Sequence, residues 1–278
     1  MTVSGIIWGD KGVGKSTAIV RSFPDWAYLL TSRSALKRAE LEGHKPTVRK
    51  VFSEFRAGKY TDFGLPIRSA TLKNVRNELR KIEQEKIAGT FPYAGVVISE
   101  FSTIIRWVYD DVIAMIGKTN PRTGVVKMEG RSTFDKSAVC LSFVNWIVGF
   151  ASRNDLGLIL ECHGRPVTYH AEGPNEGEVK YPAGPLMPEG AMIAACARPL
   201  DFCWEMCGIE EEGGVLTKIA VKTRPGDAIV RGTRGSLNAI EELSEEEGVR
   251  EKLIKAKLLS DPTTTAVKQT AKKKERAQ

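Results

Sequence analysis

Gly9-Asp10-Lys11-Gly12-Val13-Gly14-Lys15-Ser16 matches the pattern G-x-x-x-x-G-K-S/T without a gap. An apolar run with strand character, 3–8, precedes it, and a helix-forming run, 17–23, follows it. In this pattern the glycines let backbone N–H groups face phosphate oxygens. The helix presents its positive dipole end to the same anion. The sequence therefore predicts a phosphate-binding loop between a buried strand and a helix.

The predicted ligand of this loop is a nucleoside triphosphate, ATP with Mg²⁺. The residues do not decide between ATP and GTP; ATP is favoured only by default, since the sequence contains no clear N-K-x-D element for guanine recognition. Lys15 is expected to contact the β- and γ-phosphates, and the Ser16 hydroxyl is expected to bind magnesium. The predicted nucleotide-binding residues are Gly9, Asp10, Lys11, Gly12, Val13, Gly14, Lys15, Ser16 and Thr17.

A phosphate loop also needs a carboxylate near the magnesium ion and a group that orients water. The buried run 94–98 has strand character and ends at Ser99 and Glu100. We assign Glu100 to water activation or to the magnesium shell; the alternative is a surface carboxylate after a strand. Ser99 is a weaker magnesium ligand than a carboxylate.

A second buried run, 156–160, ends at Glu161, Cys162 and His163. The carboxyl ends of parallel strands line the ligand crevice in open α/β sheets. Glu161 or His163 is therefore expected to sense the γ-phosphate, although a histidine is as often structural. The predicted catalytic residues are Lys15, Glu100, Glu161 and His163.

Helical runs alternate with short buried strands, which predicts an α/β fold with a mostly parallel sheet covered by helices on both faces. The predicted strands are 3–8, 27–31, 47–52, 94–98, 156–160, 201–206 and 216–222. The predicted helices are 17–23, 36–41, 69–88, 104–116 and 134–151. Segments 117–130 and 164–190 are rich in turn residues, and they predict a loop and a mobile excursion.

Three segments are expected along the chain: a nucleotide-binding domain at 1–236, a C-terminal helix at 237–260 and a disordered basic tail at 261–278. Ser244 with Glu247 predicts a capping box for that helix. The net charge is +7, but nine basic and three acidic residues lie within 250–278. Any attraction to nucleic acid therefore has to come from the tail or from a local patch. The alternative is that the lysines of the tail only increase solubility.

Lys222 and Arg224 form a basic stretch near the end of the predicted domain. They are expected to reach a phosphate across a subunit boundary or to contact a DNA backbone; the alternative is a solvated hairpin. Cys196, Cys203 and Cys207 lack zinc-site spacing, so they are expected to be small buried residues. The odd cysteine count, no signal peptide and no apolar run of about 20 residues predict a cytoplasmic protein without membrane spans.

In these elements and their order, the chain resembles the phage-encoded P-loop nucleotide-binding proteins with a RecA-like core, which include the phage single-strand annealing ATPases. The resemblance spans about residues 4–235, and the phosphate loop is its specific part. It rests on Gly9 to Thr17, 22–24 with the 27–31 strand, Val96 to Glu100, 134–163, 185–201 and 221–235.

Two positions depart from that family's pattern. Ser99 stands where the family usually has aspartate, and Glu161 stands where a small hydroxyl residue is common, whereas His163 keeps its place. The resemblance implies ATP binding, homo-oligomerisation and action on single-stranded DNA in phage recombination, annealing or replication. It also implies a single-strand-binding protein as partner and the host cell cytoplasm as location.

Three functional hypotheses remain open at this stage. The first is a RecA-like ATPase acting on single-stranded DNA. The second is a nucleotide-gated assembly or switch protein with slow hydrolysis and a protein partner, which Ser99 favours. The third, ranked lowest, is a small-molecule phosphotransferase that uses the segment 164–190 as a lid.

Overall fold

A computed structural model describes most of the chain, and the statements below concern the residues that it describes. These are 2–52, 71–116, 118–119, 126–127, 131–171, 174–181, 183–188, 192–211, 215–223, 237–244 and 246–260. The strands are β1 (Ser4–Gly9), β2 (Ala27–Leu30), β3 (Thr47–Val51), β4 (Gly95–Ile98), β5 (Lys118–Thr119), β6 (Val126–Lys127), β7 (Gly157–Arg165), β8 (Thr168–Tyr169), β9 (Val179–Tyr181), β10 (Gly184–Pro185), β11 (Phe202–Glu211), β12 (Val215–Lys222) and β13 (Ile240–Leu243). The helices are α1 (Lys15–Ser22), α2 (Lys37–Leu41), α3 (Thr71–Ile87), α4 (Phe101–Ile116), α5 (Arg131–Arg153), α6 (Met192–Ala197) and α7 (Val249–Lys255), and a short 3-10 helix, Arg33–Leu36, precedes α2.

One large mixed sheet organises these elements, in the strand order β13-β12-β11-β1-β7-β4-β2-β3. The strands from β11 to β3 pair in parallel. Strands β12 and β13 add an antiparallel extension beyond β11, and the short β10 pairs antiparallel with the end of β7. The predicted α/β fold with a mostly parallel sheet flanked by helices is confirmed at this level.

Each face of the sheet has its own hydrophobic core. Alternate residues of a strand point to opposite faces, so Ile6 and Ile7 of β1 enter different cores. Helices α3 to α6 cover the face of Ile6, whereas α1, α2 and α7 cover the face of Ile7. This covering on both faces explains why the inner parallel strands β1, β2, β4 and β7 are mostly buried and apolar, whereas the edge strand β3 is not.

The elements differ from the sequence predictions at several points. Strand β7 continues beyond the predicted end at residue 160, and its last residues pair with β10 inside the predicted excursion 164–190. Short strands β5 and β6 pair within the segment 117–130, where a loop was predicted. Segment 237–260 contains the strand β13 in addition to helix α7. The predicted tail, 261–278, lies outside the described residues.

The capping box predicted for the last helix was wrong in position. Ser244 Oγ does accept a hydrogen bond from the Glu247 N–H, at 2.9 Å, but this contact closes a turn before the helix. Helix α7 begins at Val249, after Gly248, and the Gly248 N–H donates to the Glu251 carboxylate at 2.9 Å. At the start of α7 the carboxylate of the third helical residue is therefore the acceptor, and Ser22 of α1 accepts from the Val249 N–H.

Burial of the cysteines follows the prediction in part. Cys196 and Cys203 are buried, and Cys207 is half-buried. Within the ranges given above, none of the helices combines the length and the apolar character that crossing a membrane requires.

Candidate functional site

The turn 10–14 joins β1 to α1, so the predicted strand and helix lie on either side of it. Gly12 and Gly14 have φ angles of +91° and +86°, in the left-handed region that favours glycine. Gly9 is constrained by space, because a Cβ atom there would lie 2.2 Å from the Met206 carbonyl oxygen of β11. Gly9, Gly12 and Gly14 thus each occupy a position where the backbone angle or the available space favours glycine.

Lys15, the first residue of α1, is buried, with 6% of its surface exposed. Its Nζ atom donates to the carbonyl oxygens of Gly9, at 2.9 Å, and of Asp10, at 2.6 Å. Burial lowers the pKa of the Lys15 ammonium from its ordinary value, and the charge of Glu161 is the largest opposing effect. The side chain therefore folds over its own turn, where carbonyl oxygens and a carboxylate compensate for its burial.

Glu161 of β7 links two hydroxyl groups from different parts of the chain. Its Oε1 accepts a hydrogen bond from Ser16 Oγ at 2.6 Å, and its Oε2 accepts one from Ser99 Oγ. The Glu161 and Ser99 side chains are 5% and 0% exposed. Ser16, Ser99 and Glu161 thus form a short chain of hydrogen bonds at the carboxyl edge of the sheet, which joins α1 to the end of β4.

Glu100 has a different partner: its Oε2 accepts a hydrogen bond from Thr31 Oγ1, beyond the end of β2. The residue connects β4 to α4 and has a φ angle of +54°, a left-handed conformation that costs roughly 1–2 kcal/mol outside glycine. Backbone strain of this kind is concentrated at functional sites. Glu100 is half-buried and also lines the cavity described below.

His163 lies on β7 opposite Gly9 of β1. Its backbone N–H donates to Ser102 Oγ at 3.1 Å, and its carbonyl oxygen accepts from the Leu186 N–H at 2.7 Å. These bonds fix the backbone of His163 between α4 and the segment after β10. Its half-buried side chain contributes to the cavity wall.

These side chains surround one cavity of about 310 Å³ at the carboxyl edge of the sheet. That volume lies at the lower end of the range for small-molecule sites. Nine of the residues predicted from the sequence line it, and they are Lys11, Gly12, Gly14, Lys15, Ser16, Thr17, Glu100, Glu161 and His163. The structure thus brings together three segments that are far apart along the chain.

Sequence reasoning missed a second wall of the cavity, which Ser34, Ala35 and Arg38 form. They belong to the 3-10 helix and to α2, which follow the carboxyl end of β2. The side chain of Arg38 is largely exposed and bonds to Glu42 at 3.1 Å. The rule that strand carboxyl ends line the crevice, applied to β2 as well, would have pointed to this segment.

Lys222 does not line this cavity. It lies at the end of β12, opposite Glu205 of β11, and its Nζ bonds to the Glu205 carboxylate at 3.0 Å. Arg224 lies outside the described residues. A role for Lys222 and Arg224 across a subunit boundary or toward DNA stays a prediction.

The donor set at the cavity edge fits magnesium. Ser16, Glu161 and Glu100 offer hydroxyl and carboxylate oxygens, which hard divalent cations prefer. Among the described residues, no group of three or more His, Cys, Asp or Glu side chains could hold a metal ion alone. Magnesium is bound through one or two carboxylates together with water and substrate phosphates, so such a cage is not required.

Neither a scan against protein-family models nor a search of curated proteins returned a match. The functional assignment therefore rests on the geometry of this cavity and on its chemistry.

Proposed function

We propose that the chain binds ATP with Mg²⁺ at this cavity and hydrolyses it as a P-loop NTPase with a RecA-like core. The observation that carries the proposal is the convergence of Lys15, Ser16 and Glu161 at the start of α1, directly after a glycine-rich turn. A buried ammonium beside a helix N-terminus suits a polyphosphate. The strand order, with β7 between β1 and β4, is compatible with this fold.

The roles follow from the positions of the side chains. Lys15 would leave the carbonyl oxygens of Gly9 and Asp10 for the β- and γ-phosphates, and Ser16 would bind magnesium. Magnesium neutralises charge that develops on the phosphate oxygens. Glu100 is proposed to orient the attacking water, and His163 to contact the γ-phosphate.

Action on single-stranded DNA is the proposed biological setting, with a homo-oligomer, a phage origin and a single-strand-binding protein as partner. It is supported by the family resemblance and by the segment 261–278, which has five basic and two acidic residues. Such a basic segment attracts single strands through their phosphates without reading sequence. The location that accompanies this setting is the host cell cytoplasm.

A nucleotide-gated switch with slow hydrolysis is the second candidate. One observation favours it: Ser99, at the end of β4, holds its hydroxyl in a fully buried hydrogen bond with Glu161, so β4 itself supplies no carboxylate at that position. In this alternative, ATP binding changes assembly with a protein partner, and turnover stays slow.

Steady-state ATP hydrolysis with and without single-stranded DNA tests the proposal. Lys15→Ala is expected to abolish turnover and to weaken ATP binding by roughly 10- to 100-fold, since it removes charge-assisted hydrogen bonds of about 1.5–3 kcal/mol. Lys81→Ala, at an exposed lysine of α3, is the matched control and should leave both unchanged. Glu100→Gln should slow turnover and preserve binding.

The outcomes separate the two candidates. DNA stimulation that Lys15→Ala abolishes supports the DNA-dependent ATPase. ATP binding that leaves turnover slow, with DNA changing neither turnover nor assembly, favours the switch. Wild-type protein that does not bind ATP in the presence of Mg²⁺ contradicts both.

A further inference from the structure

The geometry points to Glu161, rather than Glu100, as the carboxylate that positions Ser16 for magnesium. This inference rests on the proposed function, because it concerns the magnesium ion of bound ATP. It assigns the task to a residue of β7, the strand between β1 and β4. Glu161 acts here through Ser16 and is therefore a positioning residue.

The first argument is the direction of the hydrogen bond at Ser16. A serine hydroxyl has one proton and two lone pairs. Because Ser16 Oγ donates its proton to Glu161 Oε1 at 2.6 Å, its lone pairs are left for a cation. A carboxylate beside a ligand orients that ligand and increases its basicity, and the loss of such partners costs roughly 10- to 100-fold in metal affinity.

The second argument is the rigidity of the carboxylate. Ser99 Oγ donates to the other oxygen of Glu161, so both carboxylate oxygens have a hydroxyl partner. The parallel pairing of β4 with β7 places Ile98 beside Leu160, and Ser99, the residue after β4, donates to Glu161, the residue after Leu160. The carboxylate is therefore held in one orientation by two serine hydroxyl groups, one on each oxygen.

The third argument is that Glu100 is engaged elsewhere. Its carboxylate bonds to Thr31, after β2, which lies on the opposite side of β4 from β7. The two carboxylates of the cavity thus have separate partners. Glu161 contacts the predicted magnesium ligand, whereas Glu100 contacts Thr31.

Glu161 has one competing role, the support of the buried Lys15 ammonium, whose charge it stabilises. The two roles predict different dependences on the metal ion. Loss of support for Lys15 would weaken nucleotide binding equally with Mg²⁺ and with EDTA. Loss of a positioning group for Ser16 would remove the gain in affinity that Mg²⁺ provides.

The experiment measures the Kd of a fluorescent ATP analogue with Mg²⁺ and with EDTA. Glu161→Gln is expected to reduce the Mg²⁺-dependent gain by about 10- to 100-fold, with a smaller change in EDTA. Mn²⁺ binding in the presence of a non-hydrolysable ATP analogue, followed by electron paramagnetic resonance, should weaken in parallel. Glu242→Gln, at an exposed carboxylate of β13, is the matched control and should keep both signals, and Glu100→Gln tests the other carboxylate of the cavity.

Two further variants keep the test valid if Glu161→Gln folds poorly. Ser99→Ala retains Glu161 and should lose part of the Mg²⁺-dependent gain. The exchange Ser99→Asp with Glu161→Ser moves the carboxylate from β7 to the residue that follows β4. This double variant should recover the gain that Glu161→Ser alone loses.

The inference is overturned if Glu161→Gln keeps the Mg²⁺-dependent gain, if its loss is equal in EDTA, or if Glu100→Gln is the variant that loses the gain. In these cases the wild-type protein still binds ATP with Mg²⁺, and the proposed function stands. If the wild-type protein does not bind the analogue at all, the proposed function fails first, and the inference fails with it.

Discussion

Glu241→Gln is expected to lower the free energy of unfolding, because the Glu241 carboxylate of β13 forms ion pairs with Lys252 and Lys255 of α7. Glu241 is 4% exposed. It accepts hydrogen bonds from the Asn238 N–H at 2.9 Å and from Lys255 Nζ at 3.1 Å, and it lies 3.2 Å from Lys252 Nζ. Lys252 is equally buried, so a neutral side chain at 241 leaves an ammonium with less compensation.

The expected loss follows from these contacts. Breaking one partner of a buried ion pair costs roughly 3–5 kcal/mol. Glutamine keeps an oxygen for Asn238, and Lys252 keeps Glu247 at 2.5 Å, so the loss should be about 2–3 kcal/mol. For a chain of this size, that corresponds to a fall in Tm of roughly 5–10 °C.

The pH dependence has a definite sign. Burial alone would raise the pKa of Glu241, but the hydrogen bonds from Asn238, Lys255 and Lys252 outweigh it and lower that pKa below its ordinary 4.5. A carboxylate whose folded pKa is lowered contributes stability above its unfolded pKa, and this stability is lost as pH falls through the folded pKa. The difference in unfolding free energy between wild type and variant should be largest near neutral pH and should decrease steadily below about pH 4.5.

Urea unfolding at a series of pH values measures the difference in unfolding free energy between wild type and Glu241→Gln. Glu242→Gln is the matched control, because Glu242 and its partner Lys218 are both half or more exposed and lie 3.6 Å apart. An exposed pair of this kind contributes about 0–1 kcal/mol. Equal losses in the two variants, or a difference for Glu241→Gln that does not decrease in acid, would refute the reasoning.

The remaining predictions concern the loop, α1 and the tail. Gly9→Ala should destabilise the fold by about 1–3 kcal/mol in thermal unfolding, because its Cβ would meet the Met206 carbonyl oxygen, a backbone atom that cannot rotate away. Ser22→Ala should cost about 1–2 kcal/mol in the same assay, because the Val249 N–H loses its acceptor at 2.9 Å; an unchanged Tm would show that water replaces it. Deleting 261–278 should weaken single-stranded DNA binding and flatten its salt dependence in fluorescence anisotropy, whereas an unchanged slope would place the DNA contacts elsewhere.

The sheet was largely predictable because its central strands are buried on both faces. The runs 3–8, 94–98 and 156–160 are almost entirely apolar, and each overlaps a strand of the structure. Strand β13 was missed for a physical reason. Two of its four residues are Glu241 and Glu242, a residue type depleted in strands, and it is held by pairing with β12 and by lysines of α7.

The sequence predicted most of the residues that line the cavity, but not which of them form hydrogen bonds with each other. The rule about strand carboxyl ends placed Glu100, Glu161 and His163 at one edge, and they do line one cavity. Which carboxylate meets Ser16 depends on which strand lies between β1 and β4. The strand order cannot be derived from periodicity. The contact between Ser16 and Glu161, 145 positions apart in sequence, was therefore found only from the structure.

Positions 99 and 161 are best judged together, because their side chains share one hydrogen-bond chain with Ser16. In the observed arrangement, the hydroxyl groups of Ser16 and Ser99 donate to one carboxylate, and each oxygen of Glu161 accepts one of these hydrogen bonds. Two carboxylates at these positions would face each other in a buried place and repel, whereas two hydroxyl groups would leave no charge opposite a cation. A serine at the end of β4 is therefore weak evidence against metal binding when the adjacent strand supplies the acid. The stronger evidence is which oxygen atoms the acid reaches, and here one of them is Ser16 Oγ.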